Sequence, residues 1–379
     1  MHTGKKANNW AKEKTVFSKT NVCFALCISL VFMAFPSFSQ TDSLKPAVKV
    51  SGYLDLYYAY DLGQPSDHNR LPFAYSYSRH NELNLNLGYM KGAYESKRFR
   101  ANLALMAGSY SLANLAAEPG LLKHILEANV GLKLSKTKNL WLDAGVFSSH
   151  IGFESAISKD CWNLTRSILA DNTPYYESGL KLTLVSKNEK WFLSGLLLNG
   201  WQRIRPIRSR LLPAFGHQLS FKPNNRITFN SSSYIGNEAP DTTLQMRYFH
   251  NFYAQFLFCK KVGITLGYDI GMQQSTNRSS TYNLWYSPVI IAKYTPTQRI
   301  TIAARSEFYN DRHGVIIPTA TLNGFQTWSY SLNVDYALLP SMVWRIEARA
   351  FTSRDPVFLW HGSPSQQNWF IISSIAWSF

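Results

Sequence analysis

Cysteine is nearly absent from the chain, with four in 379 residues and no C-x-x-C pair among them. That excludes a disulfide framework and a zinc finger or ribbon; whether Cys161 and Cys259 pair is left open by the sequence. G-x-G-x-x-G, Walker A and H-E-x-x-H motifs are missing too, so no nucleotide cradle or metalloprotease helix is expected, and no cofactor or metal. Acidic residues are few, 23 against 39 Lys and Arg, for a net charge of +16. Long apolar stretches are almost lacking: mean hydropathy is only −0.19 although 45% of residues are hydrophobic and 15% aromatic. Apolar side chains must be dispersed among polar ones.

The one long apolar run is Val22 to Phe35. Five lysines (Lys5, Lys6, Lys12, Lys14, Lys19) precede it, and "PSFSQ" with small residues Ser37 and Ser39 follows. That order predicts a cleaved secretory signal over 1–39, since the run is short for a membrane anchor. Its removal leaves 34 basic and 22 acidic residues, a net +12. Export makes nucleic acid a poor partner for this basic chain. Residues 40–47 then form a short polar lead-in, and 48–379 a single domain.

After residue 40 no long amphipathic helix is legible. Period-two alternation recurs instead. "VKVSGYLDLYY" sets Val48, Val50, Leu54 and Leu56 against Lys49, Tyr53, Asp55 and Tyr57. The pattern predicts about 16 strands: 48–60, 80–90, 95–107, 123–135, 139–147, 176–187, 190–200, 215–222, 226–236, 244–258, 261–273, 283–295, 298–309, 324–336, 341–351 and 367–379. The connections alternate. Short ones such as "KGAYE", "SKTK", "KPNN" and "ALLPS" lie between longer ones such as 61–79, 148–175 and 352–366. A soluble sandwich has no reason to gather every long loop at one end. A transmembrane antiparallel up-and-down β-barrel does, with tight periplasmic turns and long extracellular loops. In hydrocarbon every backbone group must pair within the protein, so strands span only as a closed barrel. The final segment "NWFIISSIAWSF" carries Trp369, Ile371, Ile375, Trp377 and Phe379 on one parity, a face suited to lipid. Trp377 and Phe379 are expected to form the signal read by outer-membrane assembly machinery.

Three stretches resemble the β-barrel porin-2 (OmpL-like) family of Bacteroidetes-type outer membranes. They are "SGYLDLYYAYD" (51–61), "RHNELNLNLGY" (79–89) and, most specifically, "DAGVFSSHIGFESAISKDCWNLTRSILADNTPYYESG" (143–179). The resemblance implies an all-β outer-membrane porin of a Gram-negative bacterium, passing small polar or ionic solutes by diffusion. Many porins pack as trimers, so a homotrimer is an expectation, though no interface is legible.

Strand-borne charges share the inward parity and are expected to line the pore: Arg98, Arg100, Lys133, Lys181, Arg305, Arg345 and Arg349 with Glu127, Asp143, Glu177, Glu307 and Glu347, and Glu82 near a strand start. On a lipid face each Arg or Lys would cost up to about 2–4 kcal/mol near mid-membrane. The longest connection, 148–175, is expected to fold into the lumen and narrow it. Its apolar residues would dock it while Lys159, Asp160, Arg166 and Asp171 face the solute. Arg203, Arg205, Arg208 and Arg210 in loop 201–214 make a cationic mouth patch for anions, or for lipopolysaccharide phosphates. Two other readings stand beside the porin. One is a barrel-embedded hydrolase using Ser148 or Ser149 with His150 and Glu154; the other is a non-conducting structural or adhesion barrel.

Overall fold

The computed structural model describes residues 47–207, 212–240, 243–276 and 278–379. The expected signal segment 1–39, the lead-in up to residue 46, and Arg208 and Arg210 lie outside the described residues.

Alternation sends one parity of each strand to lipid and the other inward. Along β1 (Ala47–Asp61) the side chains of Leu54, Leu56 and Tyr58 are exposed, while Tyr53, Asp55, Tyr57 and Ala59 are buried. The next strands are β2 (Leu83–Glu95), whose alternation is interrupted by a register shift, β3 (Phe99–Ala107), β4 (Ile125–Lys133), β5 (Asn139–Ser148), β6 (Tyr176–Val185), β7 (Trp191–Leu198) and β8 (Ala214–Asn224). Alternation continues in β9 (Ile227–Asn237), β10 (Met246–Leu257), β11 (Val262–Gln274), β12 (Tyr282–Tyr294), β13 (Ile300–Asp311), β14 (Phe325–Leu339) and β15 (Met342–Ser353). A small hairpin, β16 (Phe358–Trp360) and β17 (Ser363–Ser365), sits in the last long loop before β18 (Gln367–Ser378).

Sixteen strands, β1–β15 and β18, form one closed antiparallel barrel in which neighbours in sequence are neighbours in space. β18 closes on β1 with Leu54 opposite Trp377, and Gly52 and Phe379 exchange both backbone hydrogen bonds at 3.1 Å. Closure leaves no unpaired edge, as hydrocarbon requires. Short turns gather at one end and long loops at the other.

Several boundaries depart from the sequence expectation. "KGAYE" is not a turn but the end of β2, where Lys91 and Ala93 keep the inward parity. The turn is Ser96–Arg98, tied by Ser96 N–H to the Phe99 carbonyl at 2.8 Å. At the other end β2 starts later, at Leu83, because Asn81 takes a left-handed φ of 54°. "KPNN" and "ALLPS" likewise fall largely within β8 and β14.

Candidate functional site

The loop from 149 to 175 does not cap the barrel. It enters the lumen and bonds to inward side chains on opposite walls. Its neck is closed by Ser149 N–H to the Tyr175 carbonyl at 3.0 Å. On the β6–β10 side, His150 Nδ1 donates to Glu177 at 2.7 Å and Nε2 to the Ser233 carbonyl at 2.8 Å; Ser232 donates to the His150 carbonyl. Both imidazole nitrogens face oxygen atoms, an arrangement that suits the doubly protonated ring. Burial alone would lower the His150 pKa, but the Glu177 carboxylate and the Ser233 carbonyl outweigh it and raise it.

Across the barrel, β13–β15 supply a charged clamp. Thr165 donates through N–H and Oγ1 to Glu347 at 2.6 and 2.8 Å, and Ile168 N–H donates to Glu307 at 2.6 Å. Arg305 donates to the Thr165 carbonyl and Arg349 to the Arg166 carbonyl, each at 2.8 Å. Arg345 pairs with Asp335 at 2.7 Å and donates to the carbonyls of Ser158, Cys161 and Trp162. Arg305 and Glu307 alternate along β13, and Arg345, Glu347 and Arg349 along β15, the two strands that flank β14, which is why one patch of inward parity can hold a loop. All are buried.

Asp55, whose inward parity places it among the expected lining charges, is instead a further anchor. It accepts from Tyr77, Asn86, Ser158 and Ser374 at 2.7–3.1 Å and is fully buried. The loop tip therefore reaches β1 as well. Glycine makes the far wall approachable: on β11 a Cβ at Gly267 would stand 2.6 Å from Phe153, and one at Gly263 2.8 Å from Trp162.

A second loop, 62–82, also folds inward. Phe73 packs against Phe325 at 4.8 Å, Arg70 lies over the Phe370 ring at 3.8 Å, and Asn172 donates to the Phe73 carbonyl at 3.2 Å. Phe73, Phe325 and Phe370 join Tyr309, Phe351 and Phe358 in a buried apolar cluster on the long-loop side. The short-turn side is polar. There Arg100 pairs with Asp143, while Lys91 pairs at 2.6 Å with Glu127, beside the long-loop end of β5. Lys133, Lys181 and Lys293 form no ion pair among the described residues; Lys181 lies over the Phe147 ring and Lys293 over Trp162.

The expected site residues thus divide. Arg305, Arg345, Arg349, Glu307, Glu347 and Glu177 point inward but are locked against the loop and not bathed in open water. Arg166 does not face solute either: it is fully buried and donates to the carbonyls of Ser155, Leu164 and Ala156. Asp171 is buried and accepts from Tyr175 at 3.0 Å; burial pushes its carboxyl up to about 7. Lys159 reaches Ser378, and Asp160 is exposed. Arg98 stands exposed in the turn before β3, and Glu82 pairs with Arg79 at 2.8 Å in a long loop, so neither lines the lumen wall. In the mouth patch Arg203 is half-buried and Arg205 exposed, with the Ile204 and Arg205 N–H groups held by Glu118. Trp377 packs against Phe379 at 4.8 Å at the closing seam.

The imagined hydrolase set is not assembled. Ser148 donates to Glu127, Ser149 accepts from Ile151 N–H, and Glu154 accepts from Ser167, while both His150 nitrogens are occupied. Cys161 is buried and Cys259 exposed, both free thiols.

Residues 47–379 match the family model described as "Putative beta-barrel porin-2, OmpL-like". Among solved structures, an anion-selective porin from Comamonas acidovorans superposes with TM-score 0.59 at 9% identity, covering 88% of this chain and 100% of that one. The trimer form of OmpT from Vibrio cholerae gives 0.55 at 8% identity, over 89% and 100%. The DcaP channel of Acinetobacter baumannii gives 0.54 at 9% identity, over 90% and 99%. These similarities establish the barrel fold. No curated protein sequence matches the chain.

Proposed function

From the premise that the chain belongs to the putative beta-barrel porin-2, OmpL-like family, we propose that it is an outer-membrane diffusion channel for small polar solutes, throttled by loop 149–175 and biased toward anions. The observation that carries this reading is the loop itself, fastened to β1, β9 and β13–β15 across the lumen. A barrel serving only as a scaffold has no need of a charged clamp around a strut. On the short-turn side the chamber holds Lys133, Lys181 and Lys293 in excess over paired charges, which favours anions in a water-filled passage. Because the clamp arginines are consumed by the loop, selectivity belongs to these lysines, with the loop setting the size limit.

Planar-bilayer recording of the folded protein tests the proposal. Discrete conductance steps are expected, with a reversal potential of anion-selective sign under a KCl gradient. Deleting 155–170 should enlarge the steps. Unchanged steps after deletion would remove the constriction role, and silence from a folded, heat-modifiable barrel would favour a structural protein. In the membrane the partners are lipid and lipopolysaccharide, the assembly machinery that reads Trp377 and Phe379, and copies of the chain in a homotrimer.

A further inference from the structure

The seven short turns are unremarkable one by one: "SKR", "SKTK", "SKNEK" and their successors read as ordinary solvated turns. The barrel brings them to one rim. The first three carry Lys97 and Arg98, Lys136 and Lys138, Lys187 and Lys190. The next three, with the strand ends that flank them, add Lys222, Arg226, Lys260, Lys261 and Arg299, so that among the described residues these turns hold eleven exposed cations against two carboxylates, Glu95 and Glu189. The seventh turn, between β14 and β15, carries no charge. The long-loop rim differs in kind. There the signs are mixed and partly paired, as in Arg79 with Glu82 and Arg247 with Glu238.

Immediately above the cations, on the lipid-facing parity, lie aromatic side chains. Tyr94 and Phe99 meet at 5.9 Å, Trp191 stacks on Phe221 at 4.2 Å, and Phe229 meets Phe256 at 5.8 Å. Aromatic rings of this kind mark the level where hydrocarbon gives way to headgroups. The cations one turn below them stand at headgroup depth, and their common sign suits a polyanionic surface there.

We infer that this rim is a collar for anionic phospholipid headgroups of the inner, periplasm-facing leaflet. The collar is an arc whose gap is the β14–β15 turn, which has no cation. The inference needs only the placement of the barrel in the outer membrane, so it survives failure of the channel reading.

The test is lipid selection by the folded full-length barrel in nanodiscs made from equal parts phosphatidylcholine and phosphatidylglycerol. Native mass spectrometry of the lipid retained on release should show phosphatidylglycerol enriched roughly fivefold or more, with the enrichment lost at high salt. A variant with K136Q, K138Q, K187Q, K190Q, K260Q and K261Q should lose it, whereas R203Q with R205Q at the opposite rim should retain it. Heat-modifiable gel mobility of each variant separates lost binding from lost folding. Three outcomes overturn the inference: no enrichment, enrichment that the six substitutions leave intact, or equal enrichment loss in the opposite-rim variant. If the six substitutions instead abolish sedimentation with isolated peptidoglycan and leave lipid selection unchanged, the collar serves the cell wall and not the leaflet.

Discussion

At the scale of single residues, Arg345 shows how far burial changes what a charge does. Its guanidinium meets Asp335 and three loop carbonyls with almost no water contact. Replacing it, as in Arg345→Met, leaves a carboxylate and several carbonyls facing an apolar stem. Removing one partner of a buried pair costs about 3–5 kcal/mol, and a loss of that order is expected in denaturant unfolding from detergent, with larger conductance steps as the loop tip is released. Gly267 works in the opposite way, through what it lacks. Gly267→Val would collide with Phe153 and should unseat the loop at a cost of about 1–3 kcal/mol. Channel recordings would read this as a wider pore with the barrel still heat-modifiable.

At the scale of the element, loop 149–175 is held by groups that titrate. The His150 pKa is raised by Glu177 and the Ser233 carbonyl, so its contribution is fully present below the ordinary value of 6.5 and lost as pH rises through the higher folded value. Asp171 is raised by burial from 3.8 to about 7. Between those values the folded loop keeps a proton that the unfolded chain has lost, so stability again falls as pH rises. Both groups therefore hold the loop more firmly in acid, and the hold weakens as pH rises. Proteolytic nicking within 155–170 should be faster at pH about 8 than at about 5. Asp171→Asn should flatten the acidic part of that profile, and a profile that runs the other way would contradict the assignment.

At the scale of the whole molecule, the barrel separates two environments that the chain interleaves. Its interior is apolar toward the long loops and cationic toward the short turns. Under a KCl gradient the combined change Lys133→Gln, Lys181→Gln and Lys293→Gln should move the reversal potential toward cation selectivity. Equivalent changes at Arg203 and Arg205 should act mainly on the anion flux at low salt, where screening is weak. An unchanged reversal potential in the lysine variant would place the selectivity elsewhere.

Much of this was legible in the sequence because strand physics is local. A period of two fixes which side chains meet lipid, and hydrocarbon forbids an open edge, so alternation and loop lengths together dictated a closed barrel of sixteen strands. The turn at "KGAYE" was misplaced because Gly92 and Ala93 look like turn residues until their partners on β1 are known. The fate of the inward charges was beyond reach for a different reason. Inward parity says that Arg305, Glu307, Arg345, Glu347 and Arg349 leave the lipid, but not whether water or protein receives them. Only the crossing loop, which brings residues some 140 to 190 positions away within hydrogen-bond distance, decided that. The sequence by itself determined the wall of this protein; the tertiary structure alone determined what fills it, because a strand's neighbours follow from chain order while a loop's anchors come from opposite sides of the ring.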